Sequence, residues 1–305
     1  PGGAPSGRLQ GVEQEGEKPM GKIVIVGSGP AGCSAALYAA RAGQEVVVIS
    51  MGMGALSKAE LIQNYYGFEE GITGAELYRQ GVAGAKAVGA EFITAEVVGL
   101  DYTGSLVVQT TEGDYPADAV ILATGAGRIA PKIAGLAEHE GRGVSYCATC
   151  DAFFYRGKTA AVLGSGEYAL HEVQALLPLA GRVILCTNGE PLTADFPEGV
   201  EICTEKLAAV EGEEKVSALR LENGELLPVE GLFVALGVAG SAALARKLGA
   251  PVENGRIVVD EKMQTGIPGL YAAGDCTGGL LQVCKAVYEG ALAATEAIKQ
   301  IRGKK

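Results

Sequence analysis

The most reactive pattern in the chain is a closely spaced pair of cysteines. Cys147 and Cys150 are near neighbours among seven cysteines, and Asp151 follows them directly. Half of a zinc site is disfavoured, because no second C-x-x-C or H-x-H pattern occurs and the chain has only two histidines. Two buried structural thiols are a second interpretation. A redox-active disulfide fits best, because this spacing can close a small ring and a helix start can lower a thiol pKa.

A glycine-rich loop near the beginning of the chain predicts a dinucleotide site. The apolar run 22–26 leads into a G-x-G-x-x-G pattern made by Gly27, Gly29 and Gly32, and a helix-compatible stretch and a second apolar strand follow. Gly27 permits a tight turn, Gly29 lets backbone N–H groups approach a pyrophosphate, and Gly32 lets the helix pack closely on the strand. The helix start adds a partial positive charge. The strand before the motif and the helix after it disfavour a plain glycine-rich turn.

The same pattern returns in the middle of the chain. One constant offset places Gly164, Gly166 and Ala169 where the first copy has its three glycines, again between an apolar strand and a helix-like stretch. Because the two copies are about one domain length apart, the repeat predicts two related nucleotide-binding domains rather than a solenoid.

A third strand end carries an acidic residue. The stretch 269–273 ends in Gly274 and Asp275, and a long helical stretch follows from about 282 to 301. The Asp275 carboxylate can accept hydrogen bonds from the hydroxyls of a ribityl or ribose chain, or it can cap the next helix. The residues alone leave both interpretations open.

Composition sets the class of protein. The 305 residues correspond to about two domains. A net charge of −11 excludes a global basic surface for nucleic acid, and no apolar run approaches the ~18 residues that span a bilayer. The segment 1–19 is rich in Gly, Pro and Glu, so we expect a flexible extension or an artificial addition rather than an export signal. Seven cysteines without such a signal predict a cytoplasmic protein.

The order of these motifs resembles the low-molecular-weight flavin thioredoxin reductases. The likeness covers 20–305, and its most specific part is the run 144–156 with its C-A-T-C-D sequence. The resemblance implies FAD as the cofactor, thioredoxin or a thioredoxin-like protein as the partner, and a homodimer. It implies that Cys150 is the sulfur next to the flavin, that Cys147 attacks the partner and that Asp151 moves protons. The cofactor contacts that it implies are Gly27, Gly29, Pro30, Ala31, Gly32, Asn64, Ala123, Thr124, Gly125, Gly274, Asp275, Gln282 and Val283.

The predicted fold class is α/β, with two doubly wound, Rossmann-like three-layer domains, the second inserted into the first. We expect the FAD-binding domain at 20–128 and 243–305, and the inserted domain with the redox disulfide at 132–238. The resemblance implies that the inserted domain swings between half-reactions. The hinge candidates are the small-residue connections 125–130 and 237–241.

The second nucleotide site departs from the NADPH-dependent members of this family. Those members carry an arginine-rich run after a strand of the inserted domain, where a fork of guanidinium donors suits a 2′-phosphate. The corresponding stretch 185–192 has no arginine and contains Glu190. Ala169 also replaces the third glycine, Glu167 puts a carboxylate into the turn, and Pro178 is expected to break the helix that follows. These changes predict a domain that has kept its fold and lost this ligand.

The ferredoxin-dependent flavin thioredoxin reductases fit these departures, so ferredoxin is the expected electron donor. The stretches 54–68 and 274–282 resemble that subgroup, and Leu281 stands where NADPH-dependent enzymes usually carry arginine. Ferredoxins are generally acidic, so docking on this acidic chain needs a local basic patch. Basic residues close to the cysteine pair that could form this patch are Arg128, Lys132, Arg142, Arg156 and Lys158. They can equally be interpreted as scattered, solvated surface charges.

Two other functions stay open at this point. One is a conventional NADPH-dependent thioredoxin-disulfide reductase, and the other is a flavoprotein that docks a partner without turnover. The remaining cysteines match no catalytic position of the family. We expect them to be small apolar side chains, and they are Cys33, Cys186, Cys203, Cys276 and Cys284.

Overall fold

The computed structural model describes residues 21–126, 131–237 and 239–303. The segment 1–19, Arg128 and parts of both hinge candidates (127–130 and 238) lie outside these ranges. The helices are α1 (Pro30–Arg41), α2 (Gly74–Ala87), α3 (Ala148–Asp151), α4 (Glu167–Leu176), α5 (Ser241–Lys247) and α6 (Val283–Gly303). The strands are β1 (Lys22–Val26), β2 (Glu45–Ser50), β3 (Glu91–Thr94), β4 (Val97–Tyr102), β5 (Leu106–Thr110), β6 (Gly113–Ala117), β7 (Ala119–Leu122), β8 (Val144–Ser145), β9 (Thr159–Leu163), β10 (Arg182–Cys186), β11 (Glu201–Cys203), β12 (Leu207–Glu211), β13 (Ala218–Leu221), β14 (Leu226–Pro228), β15 (Gly231–Val234), β16 (Val252–Glu253), β17 (Arg256–Ile257) and β18 (Leu270–Ala272).

The first lobe is built on a parallel sheet with the strand order β18-β7-β1-β2-β3. Successive residues of β1 face opposite layers, because side chains alternate along a strand. Ile23 packs with the alanine-rich faces of α1 and α6, whereas Val24 packs with the antiparallel sheet β4-β5-β6. The two helices approach closely at Gly290, where a Cβ atom would lie 2.1 Å from the Ala31 carbonyl oxygen. The lobe therefore has three layers, with the parallel sheet in the middle.

The second lobe repeats this arrangement around a sheet of order β11-β10-β9-β15-β8. Val162 of β9 packs with α4, and its neighbours Ala161 and Leu163 pack with the antiparallel sheet β12-β13-β14. Helix α4 ends before Pro178, as expected for a residue that cannot continue the helical hydrogen bonds. The strands of the second sheet lie in the sequence between β7 and β18, so the second lobe is inserted into the first.

The predicted α/β fold class with two Rossmann-like three-layer domains is confirmed. The predicted domain boundaries stay predictions. Helix α5 packs against β4, β16 and β17, so it belongs to the first lobe. One apolar cluster runs from β4 and α5 into α4, which means that the two lobes share part of their core. Within the described ranges, no helix is both long and apolar enough to cross a membrane.

Candidate active site

A cleft of about 430 Å³ opens where the parallel strands of the first sheet end. The carboxyl ends of β1, β7 and β18 meet there, which is the usual ligand position in such sheets. The fingerprint after β1, the turn after β7 and the turn after β18 all contribute backbone to its walls. The predicted cofactor residues that line the cleft are Gly27, Gly29, Pro30, Ala31, Asn64, Ala123, Thr124, Gly125, Gly274, Asp275, Gln282 and Val283. Gly32 lies behind the cleft and packs against Gly27.

The three fingerprint glycines do three different things. Gly27 has φ +108°, and a Cβ there would lie 2.3 Å from the Ala123 carbonyl oxygen. A Cβ on Gly32 would lie 1.8 Å from the Gly27 carbonyl oxygen, so only glycine lets α1 start against β1. A Cβ on Gly29 would meet no protein atom within 4 Å, because its backbone faces the open cleft. Gly29 is also the N-cap of α1 and offers no side-chain cap, so backbone N–H groups of the first turn are available to an anion.

The turn after β18 is fixed from α6. Gly274 has φ 86° and ψ −152°, a conformation that is essentially restricted to glycine. Its N–H donates to the Glu289 carboxylate at 2.8 Å, and its carbonyl accepts from the Lys285 ammonium at 2.8 Å. Lys285 and Glu289 pair with each other at 2.9 Å. Neither residue belongs to a motif named above, although their i,i+4 spacing was a signal.

Polar side chains lie in or next to the cleft. The Asp275 carboxylate lines it, and within the part of the chain that the structure describes no hydrogen bond engages this carboxylate. The Asn64 amide donates to the Gln282 side-chain oxygen at 2.8 Å. The Thr124 and Ser241 hydroxyls lie 2.7 Å apart and join the end of β7 to the start of α5. These groups fit a flavin dinucleotide. The start of α1 suits its pyrophosphate, the Asp275 carboxylate suits hydroxyl groups, and the Asn64 and Gln282 amides suit the edge of a ring.

Cys147 and Cys150 form a disulfide in the second lobe, with their Cα atoms 5.4 Å apart. Cys147 is the N-cap of α3, and its sulfur accepts the Cys150 N–H at 3.1 Å. The Ser145 hydroxyl donates to the Asp151 carboxylate at 2.7 Å, which fixes that carboxylate beside the pair. Among the described residues no cluster of side chains could hold a metal ion. The catalytic roles of these three residues stay predictions.

The two sulfurs have different surroundings. Cys150 is exposed, and its sulfur lies 3.5 Å from the Lys247 carbonyl oxygen of the first lobe. Cys147 is only 4% exposed. Neither cysteine is among the described residues that line the cleft. In this arrangement the disulfide is therefore outside the cleft, and the sulfur that the family resemblance assigns to partner attack is covered.

Two aromatic side chains next to the disulfide face solvent. Phe153 and Phe154 are each 66% exposed, and the Arg156 guanidinium lies 5.4 Å from the centre of the Phe153 ring. Large exposed apolar side chains beside a reactive pair suit a protein partner. In the sequence both residues stand out only as part of the run 144–156, because exposure is not visible there.

The second fingerprint is covered by the chain itself. Gly164 keeps the close turn, since a Cβ there would lie 2.2 Å from the Ala235 carbonyl oxygen. The loop after β10 folds back over the motif, and the Thr193 N–H donates to the Ser165 carbonyl at 2.8 Å. A Cβ on Gly166 would lie 3.0 Å from the Thr193 hydroxyl. Helix α4 starts with Glu167, so a carboxylate stands where a phosphate would bind.

The free cysteines are of two kinds. Burial raises the pKa of the Cys33 thiol to about 12 and that of the Cys276 thiol to about 11, and burial likewise raises the pKa of Cys186. The burial of these three agrees with the expectation of small apolar side chains. Cys284 is exposed, because it shares the solvent-facing stripe of α6 with Tyr288. Cys203 is half-buried.

Comparisons with known proteins identify the family. The pyridine nucleotide-disulphide oxidoreductase pattern matches residues 21–290. The thioredoxin reductase of Aquifex aeolicus (strain VF5) is 35% identical over 307 residues, which cover 93% of this chain and 94% of the relative. The chain belongs to the thioredoxin reductase family. FAD is the cofactor of this reductase family, and the chemistry of the cleft fits it.

Two solved structures show how this reductase compares with its relatives. An atypical thioredoxin reductase from Desulfovibrio vulgaris Hildenborough is 40% identical, with a TM-score of 0.87 over 93% of this chain and 98% of that chain. A ferredoxin-flavin thioredoxin reductase from Clostridium acetobutylicum is 35% identical, with a TM-score of 0.71 over 93% and 98% of the two chains. The suspected family is confirmed.

Proposed function

We propose that this thioredoxin reductase reduces the disulfide of thioredoxin or a thioredoxin-like protein through FAD and the Cys147–Cys150 pair, with ferredoxin rather than NADPH as electron donor. The observation that carries the proposal is the joint presence of a flavin-compatible cleft in one lobe and a C-x-x-C disulfide at a helix start in the other. FAD bound in the cleft supplies the electron chemistry that side chains lack.

The thiol chemistry is a two-electron exchange. The Cys147 thiolate attacks the partner's disulfide, so that a mixed disulfide forms and one partner thiolate leaves. Cys150 then attacks the Cys147 sulfur, which restores the enzyme disulfide and releases the second partner thiolate. Each leaving thiolate takes up one proton. Asp151, held by Ser145, is placed to exchange protons beside the pair.

The covered second fingerprint supports a donor other than NADPH. Thr193 and its loop lie over the glycine turn, and Glu167 adds negative charge at the helix start. Ferredoxin needs no such pocket, because it delivers electrons by docking. Four of the basic candidates are exposed in the structure, namely Lys132, Arg142, Arg156 and Lys158. The relative from Clostridium acetobutylicum is itself a ferredoxin-flavin enzyme.

Mixing the oxidised yellow protein with each donor tests this assignment. We expect reduced ferredoxin to bleach the visible flavin absorbance at least ~100-fold faster than NADPH, because a missing phosphate site forfeits hydrogen bonds to charge worth ~1.5–3 kcal/mol each. The measurement is stopped-flow absorbance under anaerobic conditions. Equally fast bleaching by NADPH would establish a conventional NADPH-dependent reductase. Flavin reduction without any thiol–disulfide exchange with thioredoxins would establish a docking module instead.

The exposed phenylalanines give a second expected result. Replacing Phe153 and Phe154 with serine should raise KM for thioredoxin about tenfold, equivalent to ~1.4 kcal/mol, because buried aromatic anchors dominate such interfaces. kcat at saturating thioredoxin should change little, since neither side chain carries a group that takes part in the thiol–disulfide exchange. Tyr102→Ser is the matched control, because Tyr102 is similarly exposed but lies on β4 of the first lobe. An unchanged KM would place the partner elsewhere.

A homodimer and a cytoplasmic location remain predictions from the sequence. Gel filtration of the flavin-loaded protein measures the first directly.

A further inference from the structure

A buried ion pair joins the two lobes. Glu172 lies on α4 of the second lobe, and Lys247 ends α5 of the first lobe. The Lys247 ammonium lies 2.5 Å from one Glu172 carboxylate oxygen, and each side chain is 1% exposed. Charges are costly to bury, so such a pair persists only where further partners satisfy both groups.

Both charged groups have those partners. The second Glu172 oxygen accepts the Ala148 N–H. The Lys247 ammonium lies 5.5 Å from the centre of the Tyr168 ring. His171 Nδ1 donates to Glu172, 3.4 Å from its carboxylate oxygen. Burial alone would raise the pKa of Glu172, but the hydrogen bond with His171 and the ion pair with Lys247 outweigh it and lower that pKa below its ordinary value. The Glu172 carboxyl is therefore ionised in place.

The same pair holds the disulfide from two sides. Ala148, whose N–H binds Glu172, directly follows Cys147. The backbone carbonyl of Lys247 faces the Cys150 sulfur at 3.5 Å. Lys247 of the first lobe thus contacts both Glu172, which binds the start of α3, and the Cys150 sulfur in α3. No other group in the described residues links the disulfide region to the first lobe through a side-chain ion pair of this burial.

We infer that Glu172 and Lys247 are positioning residues that hold the redox disulfide in its covered arrangement, and that their ion pair opens before Cys147 can reach a partner. This inference rests on the proposed thiol–disulfide function of the pair. It follows from the burial of Cys147 together with the contacts of Lys247 on both sides of the disulfide. Ala148, next to Cys147, lies in one apolar cluster with Leu244 and Ala245 of α5. Movement of the second lobe away from α5 therefore separates Glu172 from Lys247 and uncovers this side of the disulfide.

Alkylation of Cys147 by iodoacetamide tests the inference without any donor or thioredoxin, so its failure would leave the proposed reductase function untouched. In flavin-loaded protein carrying Cys150→Ser, we expect Lys247→Met and Glu172→Gln each to speed Cys147 alkylation at least about fivefold, because each removes one partner of a buried pair. Peptide mass spectrometry gives the rate at each cysteine. Arg182→Met is the control, since it removes an exposed ion pair inside the second lobe and should change the rate less than about twofold.

Three features of the data separate lobe opening from other causes. Loss of a negative charge should make the Cys147 thiol ionise more readily and loss of a positive charge less readily, so a purely electrostatic effect gives opposite signs in the two variants. Lobe opening gives the same sign. Cys186, buried inside the second lobe, should stay protected, and Cys284 should be alkylated at an unchanged rate.

If one of the single variants does not fold, a double variant tests the inference instead. Glu172→Gln with Lys247→Met leaves no unpaired buried charge and should speed Cys147 alkylation no more than the larger single effect, because both changes remove one contact. Unchanged Cys147 alkylation in the folded variants, opposite signs in the two singles, or alkylation of Cys186 together with Cys147 would each overturn the inference.

Discussion

Replacing Cys147 with serine is expected to lower thioredoxin reduction by more than ~10³-fold, because the covalent path through a mixed disulfide is lost. The flavin content and the visible spectrum should stay those of the parent protein, since the cleft lining contains neither cysteine. The measurement is turnover with thioredoxin and reduced ferredoxin. A Cys147→Ser protein that turned over at the parent rate would remove the attacking role from this residue.

Cys150→Ser should separate the two thiol steps. Cys147 can still attack the partner in this variant, but no second thiol resolves the product, so a stable mixed disulfide with thioredoxin should accumulate. Non-reducing electrophoresis detects that adduct, and dithiothreitol should release it. Cys284→Ser is the matched control, because Cys284 is an exposed free thiol in the first turn of α6. Adduct formation through Cys284 rather than Cys147 would contradict the assignment.

Features that depend on neighbouring residues in the sequence could be predicted. The two fingerprints, the G-D turn and the C-x-x-C pair each lie within a few residues, and local backbone sterics fix what they do. Gly32 is required because its own loop residue Gly27 presents a carbonyl oxygen at that point. The continuous apolar runs of β1 and β9 likewise predict covered faces on both sides of each sheet, because successive side chains of a strand point to opposite faces.

Features that depend on distant contacts could not be predicted. Glu172 and Lys247 are 75 positions apart in sequence and meet only because α4 and α5 both pack against β4. The closure of the second fingerprint depends on a loop that reaches back from Thr193 to Ser165. The contact between the Cys150 sulfur and the Lys247 carbonyl oxygen depends on how the two lobes meet. The sequence identified a changed nucleotide site but not the loop that folds back onto it.

Gly29→Ala should remove most of the bound FAD while leaving the fold intact. Gly29 has φ −68°, which any residue adopts, and a Cβ there would meet no protein atom within 4 Å. The added methyl group projects into the cleft and holds a pyrophosphate away from the N–H groups at the start of α1. We expect the Kd for FAD to rise about 100-fold, because hydrogen bonds to a charged group are worth ~1.5–3 kcal/mol each. Quenching of flavin fluorescence on titrating the apoprotein measures this Kd.

The neighbouring glycines make this prediction specific to the cofactor. Gly32→Ala should lose FAD and stability together, because its Cβ would lie 1.8 Å from a backbone oxygen that cannot move away. Gly303→Ala at the end of α6 is the neutral control, since a Cβ there also meets nothing within 4 Å and Gly303 lines no cavity next to Gly29. A Gly29→Ala protein with the parent Kd for FAD would mean that no phosphate approaches this backbone. If the Kd of the Gly29→Ala protein for FAD rises while the thermal unfolding of its apoprotein is unchanged, the methyl group must act on the bound cofactor. The protein itself has room for this group.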